Sequence, residues 1–145
     1  MKPPRSKIYC HLALTEAYFK VMKDISNRAD IEFLLKTFYK ALLSDTTINH
    51  FFQPLEESGQ LDEHLSTIAD FWHDVLFLSA TYKKNVMKVH SELHKQHKIR
   101  AAHFTTWLHY FNKTVDQNFS GENAILAKTR AQSIATIMQI KLRDL

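Results

Sequence analysis

VMKVHSELHKQHKIRAAHFTTWLHYFNKTV, residues 86–115, is the stretch on which the reading of the fold turns. Its apolar and imidazole side chains return at the period of a helix face, first as Met87, His90, Leu93 and His94, then as Phe104, Trp107, Leu108, Phe111 and Val115. The spacing predicts one helix over about Val86 to His97 and another from near Ala101 to just before Ser120-Gly121, where glycine favours a stop. Upstream, Leu35, Phe38, Tyr39 and Leu42 share one face of a helix over about residues 30–43, with Asp30 where an N-cap belongs. A further helix from near Asp62 to about Leu78 sets His64, Ile68, Phe71 and Val75 in one narrow arc. Between these two, Phe51-Phe52-Gln53-Pro54 and Ser58-Gly59 read as a loop, because Pro54 cannot continue a helix and Gly59 permits a turn. Downstream, Glu122 to Leu142 reads as a final helix. Its inner face, Ala124, Ala127, Ala131, Ile134, Ala135 and Met138, allows a neighbouring helix to approach closely.

Composition agrees with an all-α fold. The chain has 145 residues with only 2 Gly and 3 Pro, which leaves few sites for the tight turns of an antiparallel sheet. That length suits one domain. Residues 1–29 read as an N-terminal extension, opened by Pro3-Pro4, with a weak helix over Ile8 to Lys23 and a break at Ser26-Asn27; residues 30–145 form the domain. With 10 Phe, 5 Tyr and 2 Trp, the chain can build either a dense core or a wall around a flat apolar ligand. The formal net charge is +4, but Lys and Arg alternate with Asp and Glu along the chain, so no nucleic-acid partner is expected. No apolar run nears the roughly 20 residues of a membrane span. Cys10 is the single cysteine, which rules out an internal disulfide framework, and Ile8 to Leu14 is too short and too interrupted for a secretory signal. A cytoplasmic location is expected.

The chain carries 9 His, the residue type that most often ligates metals. His11, His50, His73, His103 and His109 lack a second ligand at helical spacing and read as surface or hydrogen-bonding residues. His90, His94 and His97 form H-x-x-x-H-x-x-H, whose first pair has the spacing of many zinc sites, although no carboxylate completes the set. Taken singly, His90 reads equally as a half-buried histidine on an amphipathic helix, and Tyr39 and Trp107 as core aromatics.

Taken together, the fragments and their order are more specific. Phe38-Tyr39 is followed by Phe52, then by His64, Ile68 and Phe71-Trp72; Tyr82, Asn85 and Met87-Lys88-Val89-His90 come next, and after them His103-Phe104-Thr105-Thr106-Trp107-Leu108. Thr114-Val115-Asp116, Phe119-Ser120-Gly121, Arg130-Ala131 and Ile134-Ala135 close the series. From about Asp30 to Lys141 this pattern resembles the group III truncated haemoglobins. The resemblance implies a globin-like two-over-two helical sandwich with a shortened or missing first globin helix. It also implies haem b as cofactor, with His90 as the proximal axial ligand of the iron and Phe52 and Ile68 against the haem. Tyr39, His64 and Trp107 would surround the distal ligand. His94 remains an alternative iron ligand, because the segment between His90 and Trp107 is longer than in some members of the family. Tyr82, Lys83, Lys84 and Arg100 are candidates for the haem propionates.

An imidazole on one axial position with the other open suits a diatomic ligand such as O2, CO or NO. By resemblance, three polar groups around that ligand imply slow release and redox chemistry, either nitric-oxide dioxygenation or a peroxidase-like reaction. Without a reductase domain, turnover calls for an external electron donor. Two other classes fit less of the sequence. A haem-based gas sensor would use residues 1–29 as its output element, and a haem-free helical binding module would leave His90 without a role.

Overall fold

In the computed structural model, which describes residues 22–143, all regular structure is helical. Helix α1 (Arg28–Ser44) starts from Asn27, whose side chain accepts the Asp30 N–H at 2.9 Å. Asp30, expected as the cap, instead sits inside the first turn. Its carboxylate turns back to accept from the Ser26 N–H at 2.9 Å and the Lys23 ammonium at 2.8 Å. The two side chains thus satisfy the Asp30 and Ser26 amides at the helix start, and place a negative charge where the helix dipole favours one.

A 3-10 turn (Asn49–Phe51) leads into α2 (Gln53–Glu57), so the expected loop contains a short helix. Pro54 lies in its first turn, where an amide would lack an intrahelical partner anyway, so the proline begins the helix instead of preventing it. Gly59, at φ 74°, turns the chain towards α3 (Leu61–Phe77). Helix α4 (Val86–Gln96) opens on Asn85, whose side chain accepts the Lys88 N–H at 3.0 Å. Helices α5 (Ala101–Asn118) and α6 (Glu122–Leu142) complete the chain, with Gly121 preceding α6 rather than ending α5.

Helix α1 packs on both α3 and α5, while α6 packs on α5 and α3, so the pair α1/α3 lies over the pair α5/α6. Phe38, Leu34, Leu35, Leu42, Phe111 and Val115 are buried where the pairs meet. Ala124, Ala127, Ala131 and Ala135 face inward from α6, and their small side chains let the helices close together. Helix α4 packs mainly against α6. Among the described residues, no helix is long and apolar enough to cross a membrane.

Residues 23–27 belong to this body although they precede Asp30. Ile25 is fully buried, and the Asp24 carboxylate accepts the Asn123 and Ala124 N–H groups, each at 2.9 Å, at the start of α6. The expected helix from Ile8 lies outside the described residues as far as Val21, as do Cys10, His11 and any shortened first globin helix. Close approach of Asp24 explains Gly121: its φ is 148°, and a Cβ there would fall 2.6 Å from the Asp24 Cβ. Gly121→Ala therefore clashes and is strained, at a cost of about 1–3 kcal/mol. Thermal denaturation should show a melting temperature lowered by roughly 2–4 °C for each of those kilocalories.

Candidate functional site

A cavity of ≈ 470 Å³ opens between α1, α3, α4, α5 and the 3-10 turn. Tyr39 from α1, Phe52 from the start of α2, His64 and Ile68 from α3, His90 from α4 and Trp107 from α5 all line it. Its walls are otherwise largely apolar, with Phe71, Leu93, Phe104, Ile134 and Met138 among them. One side rests on a column of rings. Trp107 stacks on Phe111 with centroids 5.5 Å apart, Phe111 stacks on Trp72 at 4.9 Å, and Phe38 meets Trp107 edge-on at 5.7 Å. Edge-on and offset contacts of this kind suit the ring quadrupole and hold the aromatic wall in place.

Two polar side chains meet inside this apolar volume. The Tyr39 hydroxyl and His64 Nε2 are 2.9 Å apart. Burial pushes the Tyr39 phenol above its ordinary pKa, and burial, with the charges of Lys84 and His90, lowers that of His64. Both groups are therefore neutral near pH 7, and the phenol donates to the imidazole in the tautomer that carries its proton on Nδ1. The Trp107 indole N–H, which can only donate, has no hydrogen-bond partner among the described residues.

His90 lines the same cavity from α4. Its Nδ1 donates to the Val86 carbonyl at 2.8 Å, one turn earlier. That bond fixes the ring and leaves the Nε2 lone pair without a hydrogen-bond partner among the described residues, an orientation suited to a metal ligand. His94 is differently placed. It is buried away from the cavity, and its Nδ1 accepts the Ile99 N–H at 3.0 Å, closing the turn after α4. Among the described residues no three His, Cys, Asp or Glu side chains converge on a metal position, so the series His90, His94 and His97 builds no zinc site.

The structure is similar to the crystal structure of a group III truncated hemoglobin from Campylobacter jejuni, with a TM-score of 0.74 and 25% sequence identity, over 83% of this chain and 95% of that one. The fold is that of a truncated globin. No protein-family model matches the sequence, and no curated protein does so either.

Within this truncated-globin fold, Tyr82 lines the cavity, whereas Lys83, Lys84 and Arg100 do not. Lys84 is near enough for its charge to act on His64. His50 and His103, which read as surface or hydrogen-bonding residues, also line the cavity, as does His97 from the His90, His94 and His97 series. Their sequence spacing gives no sign of this, because the 3-10 turn and the α4–α5 connection bring them together from distant positions.

Asp74 was also not legible as a site residue. Its carboxylate accepts from the Ser79 hydroxyl at 2.6 Å, the Thr81 N–H at 2.8 Å, the Thr81 hydroxyl at 2.8 Å and the Tyr82 N–H at 2.8 Å. It thereby organises the connection that carries Tyr82 to the cavity rim and starts α4. Desolvation opposes ionisation, but the bonds from Ser79, Thr81 and Tyr82 outweigh it and hold the carboxyl well below the usual range. A folded pKa below the unfolded one contributes stability above the unfolded value, near pH 4, and loses it as pH falls towards the folded one. Asp74→Asn should therefore destabilise the protein at neutral pH, and urea titrations should show the gap to the unmodified chain narrowing progressively below about pH 4.

Proposed function

We propose that the cavity holds haem b, with His90 as the axial ligand, and that the chain binds diatomic gases on the face bounded by Tyr39, His64 and Trp107. The observation that carries this reading is the His90 ring, fixed through Nδ1 to the Val86 carbonyl, lining a largely apolar cavity that the Tyr39–His64 pair also lines. The likeness to a group III truncated hemoglobin supports it. Phe52 and Ile68 give flat apolar contact, while Tyr82, with Lys84 nearby, suits the propionates at the rim. Haem, when bound, supplies an iron with one coordination position open to O2, CO or NO.

The chain's own residues decide how such a ligand is held. Burial keeps the Tyr39 phenol protonated, so it can donate to a ligand that acquires negative character. An arriving ligand competes with His64 for the Tyr39 hydroxyl. Trp107 offers a second donor from α5, with no competing partner among the described residues. Donors converging in an apolar volume slow release, which favours reaction over delivery. Nitric-oxide dioxygenation or peroxidase-like turnover, with electrons from an external donor in the cytoplasm, belongs to the same proposal.

Absorption spectra of ferric, ferrous and carbonmonoxy forms test the ligand assignment. His90→Ala should lose the histidine-ligated signature, whereas His94→Ala should keep it with reduced stability. Loss confined to His94→Ala would move the ligand to His94, and a folded chain that stays colourless with haemin would end the haem reading. Tyr39→Phe removes a donor worth about 1.5–3 kcal/mol and should speed oxygen release by roughly ten- to hundredfold in stopped-flow measurements.

A further inference from the structure

Three imidazoles meet where the 3-10 turn faces the connection between α4 and α5. The His50 ring lies 5.5 Å from that of His103 and 6.1 Å from that of His97, and Phe51 stands edge-on to His103 at 4.9 Å. His103 Nδ1 accepts the Arg100 N–H at 2.9 Å, at the very start of α5. An imidazole nitrogen accepts only while unprotonated, so this bond requires neutral His103. One side chain therefore fastens the α5 start while packing on the turn that leads to Phe52.

The surroundings of His103 offer its cation no compensation. His50 faces it from the 3-10 turn, with His97 beyond at the end of α4; Arg100 faces it from its own connection, which also carries Lys98. Glu92 on α4 lines the same cavity, but among the described residues no carboxylate forms an ion pair with any of the three imidazoles. Desolvation, followed by the His50 and Arg100 charges, lowers the His103 pKa.

We propose that His103 is a positioning residue for the cavity: neutral, it fastens the start of α5 while packing on the 3-10 turn, and its protonation parts that seam and opens the cavity. Protonated Nδ1 would present a donor to the Arg100 N–H, itself a donor, and the bond at the start of α5 would be lost. The seam is a property of the chain alone. Its consequence for cofactor retention rests on the haem reading above.

Amide exchange at Arg100, corrected for intrinsic rates, tests this on the full chain with and without haemin. Between about pH 7.5 and pH 5, protection of the Arg100 amide in the unmodified chain should fall by roughly tenfold or more, in step with the His103 titration followed by NMR. In His103→Asn, Oδ1 can accept the same N–H without titrating, so protection should stay within about twofold over that range. Transfer of haemin to an excess of a haem acceptor should accelerate in acid for the unmodified chain and much less for His103→Asn. Protection that does not follow the His103 titration, or that falls equally in His103→Asn, would overturn the proposal. The measurement on the unmodified chain decides it even if the variant does not fold. A chain that takes no haemin yet loses Arg100 protection in acid would refute the haem reading and keep the seam. Haemin retention with unchanged protection would do the reverse.

Discussion

Stacking of Trp72, Phe111 and Trp107, with Phe38 edge-on to two of the three, fixes where α1, α3 and α5 meet. These rings are both core and cavity wall. Because protein interiors are close-packed, their positions leave little latitude to the side chains they support. Tyr39 follows Phe38 in sequence and meets it edge-on, so the ring that anchors α1 also sets where the phenol reaches His64. Trp107 is itself part of the column, so the packing that stabilises the sandwich also orients a donor beside the cavity.

Polar groups within and around that frame act as fasteners at its joints. Asp24 ties the entering chain to the start of α6, Asp74 gathers the connection before α4, and His94 and His103 close the turn after it. Each accepts backbone N–H groups that helix ends and connections leave without regular partners. The His90–Val86 bond uses the helix's own carbonyl to set a ring.

Helix existence was legible because Phe104, Trp107, Leu108, Phe111 and Val115, like Leu35, Phe38, Tyr39 and Leu42, repeat at the helical period. Boundaries were less so. Asn27 and Asp30 are both residue types that suit a cap, and only the bond from the Asp30 N–H to the Asn27 side chain shows which residue precedes the helix and which lies within it. Pro54 reads as a breaker until its place in a first turn is known. Convergence of Tyr39, His64, His90 and Trp107 on one cavity accords with their order in the sequence, since each lies on the apolar face of its helix. His50 and His103 escaped notice because a short turn and a connection, neither periodic, bring them together. Asp74 escaped because its partners lie just beyond the helix, in a loop that has no repeating pattern.

Sparse packing around α4 has a thermodynamic consequence. A helix that leans mainly on one neighbour opens locally at less cost than the four helices of the sandwich, so its stability depends on whatever lies on its other side. A flat apolar molecule in the cavity would act as that missing neighbour, and by mass action each tenfold excess over its dissociation constant would add about 1.4 kcal/mol to the folded state. Guest and host would then form a single cooperative unit, with the occupant completing the interior that the polypeptide leaves open.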